Sequence, residues 1–148
     1  MILNKLQARC GSCGHEFACP QLGDFSYGEF IFYGERGSVQ AYFQAIDNPV
    51  WNFLKKVLGD HGTRPALGPT LQAACAHFAD PIEGQALINH IVCPLCFSTK
   101  MDWYGGDVAG SVEVLPVSFE SFQSLSEPER HRRAVAYIEA KQLLQPED

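Results

Sequence analysis

Six cysteines are the residues of this chain best equipped for chemistry, and four of them fall in two pairs: Cys10-Gly11-Ser12-Cys13 and Cys93-Pro94-Leu95-Cys96. Two residues between cysteines is the spacing at which a single backbone turn aims both sulfurs at one point. One such pair is a weak signal. Two pairs supply the four thiolates of a closed, tetrahedral, structural zinc site. The sequence therefore predicts one zinc ion held by Cys10, Cys13, Cys93 and Cys96.

Other uses of these cysteines fit less well. A dithiol redox motif follows a strand and opens a helix, and Gly14 directly after Cys13 works against helix initiation. A catalytic zinc keeps an open position for water, which four sulfurs do not leave. The nucleobase-deaminase pattern needs His-x-Glu and then Pro-Cys-x-x-Cys. Here Pro94 lies inside the second pair, and no histidine has a glutamate two residues later. Cys19 and Cys75 read as structural: Cys75 sits among Ala73, Ala74 and Ala76, and buried free cysteine is common. Cys19 as a substitute ligand has the wrong spacing from Cys13. His15 and His90 flank the knuckles and read as ordinary polar strand residues, with a replacement ligand as the alternative. His61 reads as a solvated loop residue and His77 as a helix residue. No nucleophile–His–carboxylate pattern, G-x-S-x-G or phosphate-binding glycine loop is present. No catalysis is expected.

The elements that must position the cysteines follow from local pattern. Residues 4–20 predict a first knuckle with a strand on either side. Glu29 to Tyr33 and Ser38 to Phe43 predict a hairpin around the turn Gly34-Glu35-Arg36-Gly37. Asn48 and Pro49 suit the N-cap and first position of a helix carrying Trp51, Leu54, Val57 and Leu58 on one face, stopped by Gly59 and Gly62. A second helix is expected from Pro69 or Thr70 to about Ala79, ended by Asp80-Pro81. Ala86 to Val92 predicts a strand into the second knuckle and Thr99 to Tyr104 its return. Gly105-Gly106-Asp107 reads as a turn. Val112 to Phe119 is strand-like but interrupted by Pro116. Ser126-Glu127-Pro128-Glu129 is a capping box opening a last helix to about Leu144, with a frayed tail from Gln145.

The predicted class is α+β in one domain spanning 1–148. A zinc ribbon from about 4–20 and 86–104 brackets an insert, 21–85, and a C-terminal strand and helix occupy 112–144. Between Cys13 and Cys93 lie 79 residues, but each doubling of a loop costs only about 0.6 kcal/mol to close. Ten Phe, five Tyr and two Trp provide enough bulk for a core, so zinc is not needed in place of one. Most aromatics between Phe25 and Phe43 are expected to be core.

The formal net charge is −6, and four thiolates around one Zn²⁺ make it more negative. That sign disfavours nucleic acid and membrane surfaces and favours a protein partner with a basic surface. A nucleic-acid-binding accessory factor is the alternative, and it requires Lys5, Arg9, Lys55, Lys56 and Lys100 on one face. The basic run Arg130-His131-Arg132-Arg133 spreads around most of a helix and reads as a solvated face paired with Glu127 and Glu129. No apolar run nears the roughly 20 residues of a membrane span, and residues 1–6 lack a signal-peptide core. A reducing, cytoplasmic setting is expected, where paired Cys-x-x-Cys favours metal over disulfide.

Cys10-x-x-Cys13-Gly14-His15-Glu16-Phe17, a long insert, and Cys93-Pro94-x-Cys96 together resemble split bacterial zinc-ribbon proteins, in a layout similar to the CpXC-type domain. The first knuckle lacks that pattern's proline, and Phe97 stands where a glycine is expected. The resemblance implies a structural zinc and no established catalytic role. In size and charge the chain is also similar to bacterial immunity proteins that neutralise toxins. The expected function is non-catalytic protein binding, as a toxin-neutralising or adaptor protein.

Overall fold

The computed structural model describes residues 1–22, 27–60 and 67–144. Phe25, His61, Gly62 and the tail Gln145–Asp148 lie outside them. The described chain is mixed α+β, with two sheets and four helices.

β1 (Ile2–Cys10) and β2 (Glu16–Pro20) form an antiparallel hairpin whose turn is the first knuckle. Ala8 and Cys10 point inward and are buried, while Arg9 between them faces out, the two-residue alternation of a half-buried strand. β6 (Met101–Glu113) pairs antiparallel with the other side of β1, giving the order β2-β1-β6.

The insert builds the second sheet. β3 (Glu29–Gly34) and β4 (Gln40–Gln44) make the expected hairpin. β5 (Leu87–Ile88) adds antiparallel to β3, and β7 (Leu115–Pro116) adds parallel to β4. Pro116 is tolerated because β7 is an edge strand. α1 (Pro49–Asp60), α2 (Leu67–Phe78), α3 (Glu120–Gln123) and α4 (Glu127–Leu144) complete the chain.

Helix ends follow their caps. Asn48 Oδ1 accepts hydrogen bonds from the N–H groups of Val50 and Trp51 at 2.9 and 3.1 Å. Ser126 Oγ accepts from Glu129 N–H. The Glu129 carboxylate does not complete a reciprocal box but binds Arg132 and Arg133, whose hydrogen bonds, helped by their charge, pull it down to about 2. Arg130 donates to the carbonyls of Gln123 and Leu125, so this arginine closes the end of α3. The three arginines of the run are thus engaged locally, with Glu129, the end of α3 and the Phe53 ring.

The main core lies between the four-stranded sheet and the helices. Phe32 and Phe43 stack at 5.1 Å, Phe30 stacks on Trp51, and Phe119 meets Phe43 edge-on. Leu54, Leu58, Leu71 and Ile138 fill the rest. Of the insert aromatics, Phe32, Tyr33 and Phe43 are buried, whereas Tyr27 is exposed.

Four expectations are corrected. Ala86 to Val92 is not a strand of the ribbon: only Leu87 and Ile88 are extended, and they pair with β3 in the other sheet. Thr99 to Tyr104 therefore has no hairpin partner there, and Met101 onward pairs with β1 instead. Gly105-Gly106-Asp107 is not a turn. It lies within β6, where Gly105, Gly106 and Gly110 take φ of 129°, 80° and 117° and absorb register shifts against Leu6 and Gln7 as bulges. Gly59 does not stop α1, which continues through Asp60; one glycine costs a helix only about 1 kcal/mol.

Candidate metal centre

The two knuckles close on each other. Cys10 Sγ lies 3.5 Å from Cys96 Sγ, and Cys13 Sγ lies 3.7 Å from Cys93 Sγ. All four sulfurs fall within 4.8 Å of one another. A disulfide has its sulfurs about 2.05 Å apart, so these are free thiols. Ligands about 2.3 Å from a tetrahedral ion stand about 3.8 Å from each other. The sulfur cluster has that size. Cys10 and Cys93 are buried, while Cys13 and Cys96 are exposed.

The backbone repeats itself in the two knuckles. Cys10 N–H donates to the His15 carbonyl and Gly14 N–H to the Cys10 carbonyl. In the second, Cys93 N–H donates to the Ser98 carbonyl and Phe97 N–H to the Cys93 carbonyl. The residue after each second cysteine is left-handed: Gly14 at φ 76° and Phe97 at φ 65°. Phe97 thus performs the turn that a glycine performs in the first knuckle, against a steric cost of roughly 1–2 kcal/mol.

Charge is handled by backbone donors. The N–H groups of Ser12 and Cys13 point at Cys10 Sγ, at 3.3 and 3.5 Å. The Cys13 contact leads in holding the Cys10 thiol down at about 6. Cys96 goes the other way. An N–H at Ser98 favours its thiolate, but lost hydration and the three neighbouring sulfurs prevail and push it up to about 12. Four sulfurs this close cannot all be thiolates by themselves; a cation between them removes that repulsion.

Contacts around the sulfurs fix the two knuckles relative to each other. Ser12 Oγ and Ser98 Oγ share a hydrogen bond of 2.8 Å, and Gly11 N–H donates to the Lys100 carbonyl. The tip of the β3–β4 hairpin presses on the second knuckle: a Cβ on Gly37 would stand 2.7 Å from the Val92 carbonyl oxygen and 2.9 Å from Pro94 Cα. Gln85, a buried polar residue, holds this tip by accepting from Arg36 N–H and donating to Ser38 Oγ.

Of the described residues singled out from sequence, the structure brings Cys10, Cys13, Cys93 and Cys96 together as a group able to hold a metal. His15 stacks on Phe17, and His90 is exposed on the loop after β5. Cys19 is buried beside Ala8, Tyr33 and Val92; Cys75 is buried in the main core, where desolvation pushes its thiol up to about 12. Ser12, Ser98, Gly37 and Gln85 were not singled out as supports of the site. Gly37 had a signal, as a turn glycine, but its closeness to Pro94 spans residues that only folding joins. Comparison with protein-family models, curated proteins and solved structures finds no match to this chain. The likeness to split zinc ribbons accordingly rests on the cysteine cluster itself, whose geometry is compatible with one.

Proposed function

We propose that Cys10, Cys13, Cys93 and Cys96 hold one structural zinc ion in a split ribbon, and that the protein works by binding another protein rather than by catalysis. The cluster of four sulfurs carries this reading, because a four-thiolate shell leaves the metal no position for water or substrate. Bound there, zinc supplies a fixed cross-link between segments distant in sequence. The acidic chain favours a partner with a basic surface. The concrete form we propose is a cytoplasmic toxin-neutralising or adaptor protein of a bacterium. Nucleic-acid binding is less favoured because Arg9, central to the basic face it needs, already pairs with Glu16 and Asp102 at 3.3 and 3.5 Å.

Metal analysis should find about one zinc per chain. The cobalt-substituted protein should show the absorption of a tetrahedral four-sulfur site. Tagged protein recovered from its native cell should carry a basic protein whose retention weakens with salt. A cobalt spectrum with a bound water would overturn the closed site. Recovery of nucleic acid, with affinity falling steeply as salt rises, would overturn the protein-binding reading.

A further inference from the structure

The first sheet has an edge that nothing among the described residues covers. β6 is its last strand and runs thirteen residues, where five or six is common. Ten of those thirteen are exposed. An edge strand presents a row of unpaired N–H and C=O groups, which proteins usually guard with lysine, proline or covering elements. Between Met101 and Glu113 there is no Lys, Arg or Pro.

The bulges at Gly105–Asp107 and near Gly110 divide this edge. The run Met101–Gly105 lies opposite Gln7 to Cys10, directly after the second knuckle, and it carries Trp103 and Tyr104, 44 % and 64 % exposed. Its charges are Asp102 within it and Asp107 and Glu113 beyond it, all exposed. Asp102 lies 3.5 Å from the Arg9 guanidinium and is already paired with it, whereas Asp107 and Glu113 have no ion-pair partner among the described residues.

Resting on the protein-binding reading above, we propose that the Met101–Gly105 edge of β6 is where the partner docks, by adding an extended segment bearing Lys or Arg as a fourth strand. Main-chain hydrogen bonds to the free edge would hold such a segment, and Trp103 and Tyr104 offer it apolar area. Charge selects the occupant. A second copy of this chain brings the same acidic residues to the same strip, and like charges on paired strands are destabilising. A basic strand that runs on past Gly105 meets Asp107 with opposite charge, while Asp102 is already paired with Arg9.

The test uses the full, zinc-loaded chain and synthetic peptides of about eight residues, a usual strand length, alternating Val with Lys or Val with Glu. The Val-Lys peptide is also made in two N-methylated forms, blocking the N–H groups of one edge or the other. The proposal expects amide shifts centred on residues 101–105 with the Val-Lys peptide. It expects binding about tenfold weaker for one N-methylated form and unchanged for the other, since only one edge pairs. The Asp107→Lys variant, its fold checked by the cobalt spectrum, should shift the preference from Val-Lys toward Val-Glu. Equal binding of both N-methylated forms, shifts centred elsewhere, no binding of Val-Lys, or a dimer in sedimentation with β6 amides protected would overturn it. The Asp107→Lys variant also separates the two readings. If it still recovers the native partner as well as the unaltered chain does, the edge is refuted and protein binding stands; absence of any protein partner refutes the latter.

Discussion

Around the helices, eighteen buried side chains meet in one cluster, from Phe32 and Phe43 to Ala134 and Ile138, whereas around the knuckles only Ala8, Cys19, Tyr33 and Val92 do. Fully burying a large apolar side chain contributes about 1.5–3 kcal/mol. A cluster of two large and two small side chains is a thin basis for a three-stranded sheet, even with Phe17, Ile31, Ile88, Ile91 and Met101 packed at its margin. The difference teaches that the chain has two ways of holding itself together. The helix-bearing half rests on apolar burial. The knuckle half has a small core and a metal-sized sulfur cluster, and structural zinc contributes on the order of 10 kcal/mol in small peptides. With zinc bound as proposed, the metal would support the second half more than the first, which has a core of its own.

Removing the metal should produce the largest effect. Chelation under reducing conditions, or Cys93→Ser, should strip hydrogen-exchange protection from β1, β2 and β6 while α1 and α2 keep theirs. Equal loss in both halves would break the comparison. Phe43→Ala is the counterpart in the other half. It should cost about 4 kcal/mol, measured by denaturant unfolding, with the four-sulfur cobalt spectrum retained in the folded fraction.

Gly37→Ala addresses the joint between the halves. Its φ of 78° and the backbone atoms within 3 Å of a new Cβ predict a loss of about 3 kcal/mol. Hydrogen exchange should then rise at both the β3–β4 tip and the second knuckle; a change at the tip alone would show the halves to be less coupled. Phe97→Gly should go the other way and stabilise by about 1 kcal/mol, by relieving the left-handed strain. Gly14→Ala should cost a similar amount. If Phe97→Gly destabilises instead, the exposed ring makes a contact that offsets its backbone.

The smallest effect concerns Asp80, which tethers α3 to the end of α2. Partial burial pushes its carboxyl up, but the Ser118 hydroxyl and the N–H groups of Ser121 and Glu120 outweigh it, so the net shift is downward. A lowered folded-state pKa stabilises above the ordinary carboxylate range, and this stability drains as pH falls through the lowered value. Asp80→Asn should cost about 0.5 kcal/mol at neutral pH and reduce the acid dependence of unfolding in the helix-bearing half. An unchanged acid limb in denaturant melts at several pH values would refute the tether.

Much of this arrangement is legible from local chemistry. The β3–β4 hairpin, the Asn48 and Ser126 caps and the stripe Leu71, Ala74, Cys75 follow from short-range preference, because each depends on residues within about one turn of each other. The four cysteines are legible for the same reason: a knuckle is a local turn. Misreadings fall where a distant strand decides. Gly105 and Gly106 resemble a turn because glycine permits one, yet pairing with β1 draws the chain straight through them. Ala86 to Val92 looks like a ribbon strand, yet β3 captures Leu87 and Ile88.

By itself, then, the sequence determined two knuckles able to bind a metal, the helices with their caps, and an acidic chain with ample aromatic bulk. Local backbone geometry and side-chain chemistry suffice for those. Only the tertiary structure decided that the aromatics gather on one side and leave the knuckle sheet with little core, that Gly37 buttresses Pro94, and that β6 ends the sheet with an open acidic edge. Each of these depends on which segments meet across long stretches of chain, and burial and strand pairing are settled by that meeting rather than by any residue's own preference.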